Sequence, residues 1–270
     1  MPATVTLTLT PKQAADFELC TTLAARQMGI RRSDVALARV VKRSIDARRR
    51  PVKVNISIEI FADNEPQPAP LHFDYPDVSH ATEVIVVGSG PAGLFAALHL
   101  IECGLKPIIL ERGKRVLPRK QDIALINRNL DIDPDSNYAF GEGGAGTFSD
   151  GKLNTGTKDP RGEHILRTFV RFGAPHDILI DAKPHIGTDK LCGVVKAMRM
   201  RILELGGEVR FGARLTSVLH SNGHVTAVRY IDAQGEQELP AESVILAIGH
   251  SARDTFESLL AGGITLVQKP

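Results

Sequence analysis

The residues best suited to chemistry are a glycine run, Gly88-Ser89-Gly90-Pro91-Ala92-Gly93, set between a short apolar stretch, Glu83 to Val87, and a helical one, Ala92 to Cys103. In a strand-turn-helix unit each glycine has its own task. Gly88 permits the tight turn, Gly90 removes the side chain that would block a pyrophosphate, and Gly93 lets helix and strand pack closely. The helix N-terminus then offers unpaired N–H groups and the positive end of its dipole to phosphate oxygens. Ala97 and Gly104 continue the pattern with small residues where this helix must lie against a sheet. Glu111 follows a second apolar run, Lys106 to Leu110, at roughly the 20-residue spacing of a ribose-binding acid. A carboxylate there accepts from ribose hydroxyls and repels a 2′-phosphate, so FAD or NAD is favoured over NADP.

A second glycine run, Gly141 to Gly151, holds five glycines in eleven residues, so its backbone can approach a planar ligand and aim N–H groups at it. His185 sits on a loop between Pro184 and Thr188, and an imidazole of near-neutral pKa there can shuttle a proton. There is no CxxxxC pair for a redox disulfide and no second GxGxxG for a dedicated nicotinamide domain.

The elements that would carry these residues are of two kinds. Residues 1–62 predict a small β-α-α-β domain: a strand over Thr4 to Leu9, a helix capped by Thr10 with Pro11 behind it, a second helix capped by Ser33 with Val35, Ala38, Val41 and Ile45 on one side, and a strand over Val54 to Ile60. Residues 63–80, with four prolines between acids, read as a linker. From residue 81 to 270 buried apolar runs alternate with helices, the pattern of a parallel sheet covered by helices and hence of a Rossmann-like FAD/NAD(P)-binding α/β domain. Helices are predicted over Leu117 to Arg128, over Glu163 to Arg171 and from a Thr188 cap to Leu205. Short strands follow near Val209 to Phe211, Arg214 to Leu219 and Val225 to Ile231, with a turn at Asn222-Gly223. A last strand covers Ser243 to Ile248, after which Ser251 would cap a helix.

Composition narrows the classes. The 270 residues are 43% hydrophobic, enough for one or two packed cores, and carry 33 Lys and Arg against 31 Asp and Glu, a net charge of only +2. That balance argues against a protein that holds nucleic acid chiefly by charge. Ten basic residues do fall between Arg26 and Lys53 against two acids, Asp34 and Asp46, which leaves an RNA-directed flavoprotein as an alternative, although the tract has no aromatic residue for base stacking. Cys20, Cys103 and Cys192 are too scattered for a disulfide framework or a metal site, and with no secretory leader or membrane span a cytoplasmic protein is expected.

Several segments together resemble a family of FAD-dependent dehydrogenases of undefined substrate, related to the glutathione-reductase and geranylgeranyl-reductase type flavoproteins. The carrying segments are Ser44 to Arg48, Val87 to Leu94 with Leu110-Glu111-Arg112-Gly113, above all Phe140 to Leu153, then Pro184 to Asp189 and Ala247 to Thr255. The resemblance implies FAD as cofactor, held by Gly88, Ser89, Gly90, Pro91, Ala92, Gly93, Glu111 and Arg112, and a small-molecule substrate, with NADH or NADPH as a candidate electron donor. It further implies that Gly143, Gly144, Thr147 and Ser149 lie beside pyrophosphate and isoalloxazine, that Leu215 meets adenine through its backbone and that the chain passes the dinucleotide at Gly249. His250 and Arg253 are candidates for phosphate or substrate. Lys152 and His185 are the candidate catalytic groups, Lys152 to stabilise charge on reduced flavin. Family members are longer, so the chain looks like the N-terminal half of one, ending within a substrate domain. It is then expected to hold FAD poorly by itself, or to bind nucleotide without catalysis.

Overall fold

The structure, a computed structural model, describes residues 3–62, 65–67, 72–149, 151–153, 157, 159 and 161–268, so part of the expected linker and Asp150 lie outside the described residues. In chain order the elements are β1 (Ala3–Leu9), α1 (Pro11–Ala14), α2 (Phe17–Gln27), β2 (Val35–Asp46), β3 (Lys53–Ala62), β4 (Glu83–Val87), α3 (Pro91–Glu102), β5 (Lys106–Glu111), α4 (Val116–Asn127), α5 (Arg161–Arg171), α6 (Thr188–Glu204), β6 (Glu208–Phe211), β7 (Arg214–Ser221), β8 (His224–Asp232), β9 (Gly235–Pro240), β10 (Val244–Leu246) and α7 (Arg253–Ala261). They divide into two compact units, residues 1–72 with 152–186, and residues 73–151 with 187–270. Residues 152–186 thus group with the leading segment, whereas the sequence assigned them to the FAD-binding domain.

The first unit is built on an antiparallel sheet of order β1-β3-β2. Alternation along β1 turns Val5, Leu7 and Leu9 inward against Ile56, Ile58 and Ile60 of β3 and against Cys20, Ala24 and Ala25 of α2. Thr10 caps α1 as expected, in a capping box with Gln13, and Asp16 caps α2 through the Leu19 amide. The second predicted helix is a strand, β2, paired to β3 along its length, which corrects the β-α-α-β order. Its cause is two register shifts, between Val35 and Leu37 and between Val40 and Lys42. The first bulge sets Val35 and Ala38 three apart on the core side, which imitates helical spacing, whereas Val41 is the extra residue of the second bulge and is exposed, as is Ile45. The stretch from Val35 is accordingly no helix face, and five members of the basic tract are paired: Arg31 with Asp34, Arg32 with Glu18, Arg39 with Glu59, Arg43 with Asp177 and Asp181, and Arg48 with Asp46. Residues 180–182 add to β2, the Arg43 amide donating to Ile180 O and the Ala182 amide to Arg43 O.

The second unit holds a parallel sheet of order β10-β4-β5-β6 and an antiparallel sheet of order β7-β8-β9. Val84 to Val87 and Ile108 to Leu110 are buried, as two-sided parallel strands require. The chain leaves β4 toward β5 on one side, and β10 pairs β4 on the other, so strand order reverses beside β4. In open α/β sheets the crevice for a ligand opens at such a switch point. Asn222 and Gly223 both take positive φ, 52° and 79°, which gives the tight β7–β8 turn expected from sequence, while β9 lacked a clear pattern and went unforeseen. Two caps differ from expectation: Gly187, not Thr188, stands at the N-cap of α6, and Ala252, not Ser251, at that of α7. Among the described residues no helix is long and apolar enough to cross a membrane.

Candidate dinucleotide-binding site

Beyond the C-terminal ends of β4, β5 and β10 lies a cavity of about 490 Å³, with Gly88, Gly90, Gly141, Gly144, Gly146 and Gly249 among the residues that line it. On one side are Gly88, Gly90, Pro91 and Ala92. Gly88 has φ +102°, and a Cβ there would stand 2.4 Å from Ala247 O, so the turn demands glycine twice over. A Cβ on Gly93 would lie 1.9 Å from Gly88 O, which is the close helix–strand packing read from the sequence. Gly90 behaves differently: its Cβ would point into space where the first neighbour is Gly144 Cα at 3.7 Å. Its missing side chain leaves room at the first turn of α3, where the orphan amides lie.

Glu111, at the end of β5, is buried, and both of its oxygens are engaged. Oε2 accepts from the Ser89 amide (2.8 Å) and hydroxyl (2.7 Å), Oε1 from the amides of Gly113 (2.8 Å) and Gly141 (3.1 Å). A carboxylate has about four acceptor positions, and protein donors fill them all. The residue chosen from sequence as a ribose acceptor thus also ties the first glycine turn to the second glycine run. Ser89 itself is buried and does not line the cavity.

The second run departs in detail from expectation. Gly144 lines the cavity as predicted, but its companions there are Gly141, Ala145 and Gly146. Gly143 turns inward toward Val195 and Thr147; Thr147 is fully buried with its hydroxyl donating to Glu142 O; Ser149 donates to Gly146 O. The reason lies beneath the loop, where Glu142 is buried against Arg199 of α6 (2.6 Å) and accepts from the Val116 amide (2.7 Å). Anchoring Glu142 inward pulls Gly143 and Thr147 with it. Arg119 of α4, also fully buried, holds the same loop from below. Neither arginine was foreseen, because a single basic residue in a helix of mixed polarity carries no sequence signal of burial.

The remaining candidates fall into two groups. Leu215, Gly249, His250 and Arg112 line the cavity, Gly249 with φ +70° and open space where a Cβ would be. Arg112 is fixed between Asp135 (2.7 Å) and Asp254 (2.9 Å) and lies 4.2 Å from the centroid of the Phe140 ring. Its hydrogen bond holds the Asp254 carboxyl below the ordinary value. Arg253 opens α7 outside the cavity lining. Lys152 and His185 belong to the first unit, where a short antiparallel bridge pairs them, and neither lines the cavity.

Residues 83–117, which span β4, α3, β5 and the Glu111 turn, match the family model of the FAD binding domain. Over these residues the chain is similar to FAD binding domains. Residues 1–61 match a domain of unknown function, DUF8436. An uncharacterized protein of Clostridium beijerinckii is 36% identical over 260 residues, 90% of this chain and 48% of the relative. Digeranylgeranylglycerophospholipid reductase 1 of Methanopyrus kandleri is 29% identical over 175 residues, 63% of this chain and 40% of that protein. The chain spans less than half the length of these curated relatives. Among solved structures, Thermovibrio ammonificans THI4 aligns with a TM-score of 0.45 at 21% identity, over 68% of this chain and 64% of that one.

Proposed function

We propose that this chain forms the FAD-holding part of a cytoplasmic flavoprotein oxidoreductase acting on a small molecule, with NADH or NADPH as electron donor. The observation that carries it is a cavity at the switch point of a parallel sheet, bordered by glycines of three segments, Gly88 and Gly90, Gly141, Gly144 and Gly146, and Gly249, beside a buried carboxylate. The cavity is of the size expected for a cofactor-bearing cleft, roughly 300 to 1,000 Å³. The residues fit the group. The first turn of α3 takes the pyrophosphate, the missing Gly90 side chain admits it, and Glu111 accepts a ribose hydroxyl in place of the Ser89 hydroxyl, the one rotatable donor among its four partners. Leu215 and Gly249 border the adenosine and the passing strand. Bound FAD supplies two-electron chemistry at its isoalloxazine, and the protein supplies position, exclusion of water and charge. We keep Lys152 and His185 as candidate groups for charge stabilisation and proton transfer, and residues 1–62 as a separate leading domain.

The test is the absorption spectrum of the purified chain after incubation with FAD and removal of free cofactor, with the released cofactor identified. Bound flavin, bleached anaerobically by NADH or NADPH, is expected. A chain that takes up no flavin overturns the proposal.

A further inference from the structure

Arg119 is the largest fully buried side chain among the described residues, yet no carboxylate is hydrogen-bonded to it. Its Nε donates to Asn137 O (3.0 Å), Nη1 to Gly141 O (3.2 Å) and Glu142 O (2.7 Å), and Nη2 to Tyr138 O (3.3 Å) and Gly144 O (2.9 Å). A guanidinium has five N–H donors in a planar fork, and all five go to carbonyls of the one segment 137–144. Its carbon lies 5.1 Å from the Phe148 ring centroid. Gly141 must be glycine beside it: φ is +114°, and a Cβ would stand 2.4 Å from Arg119 Cδ. Burial brings the guanidinium down to about 10, with Glu111 the first of the carboxylates that favour its charge, so it stays a cation at neutral pH.

Carbonyls drawn to one point beneath a loop fix the course of that loop above it. The outer side of this one, Gly144 with Ala145 and Gly146, is the cavity wall that meets Gly90. We propose that Arg119 is a positioning residue which, without touching the cofactor, gathers the carbonyls of 137–144 and so sets Gly144–Gly146 against Gly90 to clasp FAD beyond its adenosine. Lysine cannot replace it, having three donors in a tetrahedral array for five acceptors. The proposal rests on the FAD assignment above, and its consequence for the loop does not.

The experiment compares the wild-type chain with Arg119→Ala and Arg119→Lys in three measurements: titration with FAD, titration with AMP, and amide hydrogen exchange of residues 137–148. Both variants are expected to bind FAD at least tenfold more weakly while AMP affinity stays within about twofold, since AMP engages the first glycine turn and Glu111. At saturation the bound flavin should be more fluorescent than in the wild type, a change that lost stability alone does not produce. Exchange at 141–146 should quicken at least tenfold in Arg119→Ala, with α3 unaltered, and slow again on adding guanidinium below denaturing concentration but not on adding equal sodium chloride. Equal weakening of FAD and AMP, or unchanged FAD affinity, overturns the proposal. If the wild-type chain binds neither ligand, the FAD assignment fails for this chain and exchange decides: unchanged protection at 141–146 in Arg119→Ala overturns Arg119 as the holder of the loop, and lost protection restored by guanidinium upholds it.

Discussion

Replacing Glu111 by glutamine probes how the cavity is braced, because it alters one atom and leaves the volume unchanged. The amide keeps one acceptor oxygen and presents an NH2 in place of the other. Turned toward Gly113 and Gly141, that NH2 meets two backbone N–H groups that cannot reverse. Turned toward Ser89 it meets one such N–H and a hydroxyl that can rotate to accept, so this orientation wins. The variant then loses one charge-assisted bond, leaves the buried Ser89 amide unpaired and removes the carboxylate that most favours the Arg119 charge. A bond to a charged group contributes about 1.5–3 kcal/mol and an unpaired buried donor costs about 1–3 kcal/mol. These overlap, so we expect a loss of roughly 2–4 kcal/mol. Urea unfolding followed by circular dichroism at neutral pH reads it as a lower midpoint at unchanged slope for the transition of the second unit. A change below about 0.5 kcal/mol, the scale of an ordinary surface substitution, would refute the reasoning.

Further outcomes follow from single residues. Gly93→Ala puts a methyl 1.9 Å from Gly88 O and must push α3 from β4, costing on the order of 1–3 kcal/mol or more and lowering the melting temperature; an unaltered melting curve contradicts the packing role of this glycine. Asp254→Asn removes the partner that Arg112 holds ionised. Because the folded carboxyl is depressed, its contribution is complete at neutral pH and fades as pH falls through and below the usual carboxylate range. The pair is half-exposed, so the loss is under about 1 kcal/mol at neutral pH and vanishes in strong acid; a deficit that persists in acid contradicts the pairing.

What could be read from the sequence was what is decided locally. The turn Gly88–Gly93 needs small residues at fixed offsets whatever surrounds it, and the Asn222-Gly223 turn needs positive φ at two adjacent positions. The parallel strands are legible for a similar reason, since burial on both faces leaves a continuous apolar run. The strand Val35–Asp46 was obscured by its first bulge, which sets Val35 and Ala38 three apart on the core side, and by Val41 and Ile45, apolar residues that are exposed. The second glycine run announced a backbone wall but not which of its residues face the cavity. That choice is made by Glu142 and Arg199, 57 residues apart, and by Arg119 meeting five carbonyls, contacts that exist only once the unit has folded.

The central claim is that these glycine walls hold FAD, and titration of FAD fluorescence with the wild-type chain and with Gly90→Val tests it most directly. A Cβ at Gly90 meets Gly144 Cα only at an ordinary contact distance of 3.7 Å, so valine there is expected to leave the fold intact and to obstruct the pyrophosphate. The account predicts saturable one-to-one binding to the wild type, competed by ADP, and none to Gly90→Val at an unchanged circular dichroism spectrum. Equal FAD affinity in a folded Gly90→Val, or no saturable binding by the wild type, would contradict it.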